Sequence, residues 1–63
     1  MKLKDFSLVA TSNYIVGVEQ EGKTVTEFYN DDEMKLKSFE NYIVTGIWVG
    51  DTDTMCVTIS EDN

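Results

Sequence analysis

The sequence predicts one small α+β domain. Two β-hairpins form a four-stranded, mostly antiparallel sheet, with a short N-terminal helix and a second short helix between the hairpins. Three observations predict it. Two pairs of stretches have strand character, and a glycine-bearing turn divides each pair, at Gly22 and at Gly50. Ahead of the first pair, apolar residues recur three apart. Between the pairs lies a stretch rich in Asp, Glu and Lys with no strand signature. A small closed barrel of the SH3-like kind would use the same short strands and glycine turns, and is the alternative. Sixty-three residues make a single domain, 1–63, without repeat, low-complexity tract or linker.

Residues 3–10 carry Leu3, Phe6 and Val9 with Ala10 beside them, one stripe of a short amphipathic helix. Leu8 and Ser7 leave a strand open there, and Thr11, Ser12 and Asn13 end the pattern. From Tyr14 the period becomes two: Tyr14, Val16 and Val18 point one way, and Ile15, Gly17 and Glu19 the other. Residues 20–23 form a turn in which Gly22 can take a positive φ, and residues 24–29 are the returning strand. Asn30 or Asp31 is placed to cap a helix, with Asp32 and Glu33 at its positive end and Lys35 and Lys37 toward the other. Met34, Leu36 and Phe39 fit one face poorly, so one or two turns are expected.

Residues 42–49 are apolar on both faces, which suits a strand buried on both sides or one shifted by a bulge at Gly46. Residues 50–53 make the second turn. Residues 54–60 then alternate, with Met55, Val57 and Ile59 inward and Cys56, Thr58 and Ser60 outward. Glu61, Asp62 and Asn63 form a solvated tail.

Composition narrows function mainly by exclusion. Twelve Asp and Glu face five Lys, with no Arg, His or Pro, for a net charge of −7. Binding to nucleic acid or an anionic membrane needs Lys/Arg clusters that displace counterions, so neither is expected. The absence of histidine removes the side chain best suited to proton transfer near neutral pH and the commonest transition-metal ligand. A lone cysteine, Cys56, cannot form an intramolecular disulfide, which points to a reducing cytoplasm. The apolar stretch after Lys2 and Lys4 is interrupted too early, at Asp5 and again at Thr11, to serve as a signal peptide.

No constellation carries catalytic chemistry. Asp51, Thr52 and Asp53 resemble the opening of a calcium loop but lack its later glycine and glutamate, and turn solvation accounts for them. The run Asn30, Asp31, Asp32, Glu33 reads as a helix cap before it reads as a magnesium site. Glu19 and Glu27 lie within strands, where the expectation is two carboxylates on the polar face of the first hairpin. The expectation is no enzyme, no cofactor and no metal.

The Met1-Lys2-Leu3-Lys4-Asp5-Phe6 opening, the Tyr14-Ile15-Val16 strand and the Glu21-Gly22-Lys23 turn carry a family likeness. So do the closing positions Tyr42, Val44, Ile47, Met55, Val57 and Ile59. On these residues the chain resembles a loose group of very small acidic proteins of bacteriophages and prophages of Gram-positive bacteria, which has no established activity. The likeness lies in core and turn positions, so it implies no catalytic or binding residue. Thr11-Ser12-Asn13 and Trp48 depart from the group's pattern.

Two function classes follow. In the first, the protein is a small interaction module that binds a basic host protein, of the nucleic-acid-binding kind, through an acidic or aromatic surface. If both turns share one end of the sheet, Glu19, Glu21, Asp51 and Asp53 gather there and imitate the phosphates of DNA. If the connection over residues 31–41 carries the chain back across the sheet, the turns lie at opposite ends. In the second class the protein is a homodimer joined through an aromatic strand face, with the charge serving solubility. Trp48 faces outward if Ile47 and Val49 face the core, and beside Tyr42 and Val44 it would form an apolar interface patch.

Overall fold

The computed structural model describes residues 1–50 and 53–61. Its elements are α1 (Leu3–Val9), β1 (Tyr14–Gln20), β2 (Lys23–Tyr29), α2 (Glu33–Ser38), β3 (Ile43–Val49) and β4 (Met55–Ser60). The strands form one mixed sheet in the order β2-β1-β4-β3. Each hairpin is antiparallel, and the two join through a parallel pairing of β1 with β4. The α+β fold is therefore as the alternation predicts. The sheet is open, with β2 and β3 as its two edges, so the SH3-like barrel is excluded.

Both helices lie on one face. There Tyr14, Val16 and Val18 of β1, Phe28 of β2 and Val57 and Ile59 of β4 join Leu3 and Phe6 of α1 in a buried cluster. Register explains the fit: Val16 sits between Val57 and Phe28, and Val18 opposite Ile59. Phe6 meets Tyr14 edge-on at 5.0 Å, while Phe39 stacks on Phe28 at 5.6 Å and meets Tyr42 edge-on at 4.9 Å. These two aromatic groups fix α1 and the end of α2 on the sheet.

The first turn is Glu21-Gly22, with φ of 55° and 79°. Two consecutive positive φ values match the twist of the flanking strands, which is why a two-residue loop suffices.

Three expectations need correction. Val9 does not join the core stripe and is 67% exposed. Helix α1 ends there because Ala10 turns extended toward β1. The cap of α2 is Asp32, whose Oδ1 accepts from the Lys35 amide at 3.2 Å, rather than Asn30 or Asp31. Asn30 is engaged elsewhere: its Oδ1 accepts from the Tyr14 amide and its own amide donates to the Tyr14 carbonyl, tying the end of β2 to the start of β1. Tyr42 and Val44 pack against the core on the helix side, so they do not stand beside Trp48. The cause is a bulge between Val44 and Gly46, which reverses the alternation along β3.

The parallel pairing of β1 with β4 sets the placement of both turns. The β1–β2 turn follows the end of β1, and the β3–β4 turn precedes the start of β4, so they stand at opposite ends of the sheet. The connection over residues 30–42, about the dozen residues that a parallel crossover requires, carries the chain from one edge to the other.

Candidate interface on the open sheet face

Among the described residues, no helix covers the second face of the sheet. Strand pairing there aligns four side chains, one per strand: Tyr29 opposite Ile15, Ile15 opposite Cys56, and Cys56 opposite Trp48. With strands about 4.8 Å apart, this row runs roughly 14 Å from Tyr29 to Trp48 across the whole sheet. Its ends are its most exposed members, Tyr29 at 61% and Trp48 at 50%, while Ile15 and Cys56 are half-buried between them.

The neighbouring row is small and polar. Glu27 lies opposite Gly17, Gly17 opposite Thr58, and Thr58 opposite Gly46. Here the bulge has a chemical consequence, because it turns Thr45 onto the open face with Gly46. The Thr58 hydroxyl, almost fully buried, donates to the Gly46 carbonyl at 3.4 Å. Its oxygen lies 3.1 Å from the Thr45 hydroxyl, which also reaches Glu19 Oε1 at 3.3 Å. Thr45 has one proton to share between these acceptors. Glu19 is thus held over β4 toward β3, rather than extended into solvent.

The acidic positions separate into two groups. Glu19 and Glu21 stand at the β1–β2 end, where they line an open depression of about 360 Å³ with Gln20, Ser60 and Glu61. Asp53 is at the other end, exposed, with φ of 59°. Asp51 lies outside the described residues. The four expected carboxylates are therefore not one cluster, and spacing that imitates DNA phosphates has no geometric basis in this fold. Glu27 lies in the row next to the aromatic one. With Ile15, Phe28 and Tyr29 it borders a shallow depression of about 170 Å³.

Trp48 stands where its flanking residues predict, facing away from the helices. Tyr42 does not accompany it. Tyr29, Ile15 and Cys56 complete the row instead, and the outward sets of β1 and β4 already contained Ile15 and Cys56. What alternation lacked was the register between hairpins that makes them neighbours. Among the described residues, no group of three or more His, Cys, Asp or Glu is placed to hold a metal ion. Among them too, no helix is long and apolar enough to cross a membrane.

Comparison with protein-family models, curated proteins and solved structures gives no match to this chain.

Proposed function

We propose that this protein is an interaction module that docks a basic protein onto the open face of its sheet. The observation that supports this reading is the row from Tyr29 to Trp48, two exposed aromatics joined by Ile15 and Cys56 on the face that the helices leave bare. Aromatic anchors of this kind dominate the energetics of protein interfaces. The chemistry of the rim favours a cationic partner. Between Ile15 and Tyr29 the surface offers an apolar floor with Glu27 at its border, which suits a Lys or Arg side chain that lays its aliphatic stem on the floor and keeps its charged head at the carboxylate. A net charge of −7 steers such a partner from a distance. A nucleic-acid-binding protein, whose surface is rich in Lys and Arg, is a partner of this type. In this reading the acidic end with Glu19, Glu21 and Glu61 contributes long-range attraction, and the aromatic row contributes affinity.

The test is affinity capture from the host with the native protein, with Tyr29→Ser/Trp48→Ser, and with Glu27→Gln. A basic protein retained by the native chain, lost with the aromatic double variant and weakened with Glu27→Gln supports the proposal, provided circular dichroism shows both variants folded. Retention that ignores Tyr29 and Trp48 but follows Glu19 and Glu21 would move the interface to the acidic end and overturn it.

A further inference from the structure

Strand β3 is an edge, and only its first part is covered. The Val44 amide donates to the Met1 carbonyl and the Leu3 amide to the Tyr42 carbonyl, so the N-terminal segment pairs with the start of β3 and forms a bridge between Lys2 and Ile43. Beyond the bulge no described residue pairs with this edge. The Gly50 amide donates to the Thr54 carbonyl across the hairpin, and backbone groups alternate sides along an antiparallel strand. Gly46, Trp48 and Gly50 therefore face β4, whereas Ile47 and Val49 turn both their N–H and C=O groups outward. Those four groups have no hydrogen-bond partner among the described residues. The same residues carry exposed apolar side chains on the helix side, Ile47 at 51% and Val49 at 66%. An apolar edge is a template for pairing with another strand, and beyond the bulge this one carries neither a lysine nor a proline to discourage it.

We infer that the occupant of this edge is a second copy of the chain, paired antiparallel through β3 about a two-fold axis at Trp48. One register satisfies every constraint. With Trp48 opposite Trp48 of the second copy, Ile47 of each copy lies opposite Val49 of the other, and these are the residues whose backbone groups are free to exchange hydrogen bonds. The two tryptophans then occupy a pair without backbone bonds, where side chains approach most closely, and both project from the open face. Ile47 and Val49 of opposite copies meet on the helix side. Charge selects the same strip: in a molecule of net charge −7, β3 and β4 contain no charged residue, so like-charged copies approach here with least repulsion. This register also brings the Asp53 turn of each copy toward the Lys2 end of the other. The N-terminal segment blocks the edge before Thr45, which stops the ladder from slipping. The product is a continuous eight-stranded sheet with two aromatic rows end to end.

The inference stands independently of a basic partner, because it uses the edge of β3 rather than the face. The interface rests on one pair of short edge strands, so association is expected to be weak and to depend on concentration.

Sedimentation equilibrium of the native chain and of Val49→Pro is the direct test. Proline removes an outward N–H that the monomer does not use, so the monomer fold tolerates it. The expected result is a concentration-dependent dimer for the native chain, retained at about 0.5 M salt, where the screening length falls to about 4 Å, and a monomer for Val49→Pro with an unchanged circular dichroism spectrum. Register is tested by cysteine cross-linking in a Cys56→Ser background. Trp48→Cys places two thiols at a Cα separation of about 4.5 Å, within disulfide range, and is expected to cross-link on mild oxidation, whereas Ile47→Cys is not. A native chain that stays monomeric at millimolar concentration overturns the inference. So does a dimer that survives Val49→Pro while Ile47→Cys cross-links as readily as Trp48→Cys.

Discussion

The indole of Trp48 lies against Gly46: a Cβ built on Gly46 would sit 3.4 Å from Trp48 Cζ3 and 2.9 Å from the Thr58 hydroxyl oxygen. The glycine at the bulge thus leaves space for two things at once, the ring on the open face and the buried Thr58 hydroxyl beneath it. Substituting Gly46→Ala forces Thr58 to move and breaks its bond to the Gly46 carbonyl. A destabilisation of about 1–3 kcal/mol is expected. Urea unfolding measures it, and tryptophan fluorescence reports whether the indole is displaced.

Gly17 provides the contrast, because it occupies the same polar row. Its added Cβ would meet the Thr24 and Thr58 methyl groups at 3.6 and 3.7 Å, ordinary contact distances. Gly17→Ala restricts the unfolded chain without a clash, so it is expected to be neutral or to stabilise by up to about 1 kcal/mol. A loss as large as that of Gly46→Ala would show that the open face lacks the space these distances describe.

At the first turn, Glu21 holds φ of 55°, a region in which a side chain with a Cβ is strained and which Asn tolerates better. Glu21→Asn keeps the Gly22 partner of the two-residue loop and removes one carboxylate from the end that also holds Glu19 and Glu61. A gain of roughly 0.5–1 kcal/mol in urea unfolding is expected. An unchanged midpoint would mean that Glu21 is relieved by a contact this turn geometry does not require.

The cap of α2 separates three neighbouring residues by function. Asp32→Ala removes the acceptor of the Lys35 amide and is expected to cost about 0.5–2 kcal/mol, whereas Asp31→Ala, at an exposed position, is expected to cost less than about 0.5 kcal/mol. Asn30→Ala cuts the link to the Tyr14 amide and should loosen the start of β1 instead. Amide hydrogen exchange distinguishes the outcomes, with faster exchange at Lys35 for Asp32→Ala and at Tyr14 for Asn30→Ala.

Local structure was legible where one segment sufficed to specify it. Gly22 between two alternating stretches marks the first hairpin, and Met55, Val57 and Ile59 mark the inward set of β4, of which Val57 and Ile59 are fully buried. Sequence reasoning weakened wherever one extra residue changed parity. Thr45 is that residue in β3: it leaves Tyr42 and Val44 with the core and sends Trp48 to the opposite face. Strand order is a property of three pairings together, which no single stretch encodes. The nearest signal was the length of the 30–42 connection, enough for a parallel crossover, and it separates Glu21 from Asp53 by the length of the sheet. The aromatic row was illegible for the same reason, because Tyr29, Ile15, Cys56 and Trp48 become neighbours only through register.

Tyr14 ties the fold to pH. Burial against Phe6 and Val16 raises its phenol above the ordinary 10.0, because a phenolate there would lose its hydration. The folded protein therefore holds this proton more tightly than the unfolded chain does. The resulting stability is fully present below the unfolded value and is lost as pH rises through the folded one. Tyr14→Phe keeps the ring against Phe6 and removes the ionisable group. Urea midpoints for the two proteins should run parallel up to about pH 9 and diverge above about pH 10, the native chain falling more steeply. The two proteins are otherwise identical, so the rest of the chain cancels in the difference. Parallel curves through the alkaline range would mean that the Tyr14 hydroxyl reaches water in the folded state, and that its ring alone is held by the core.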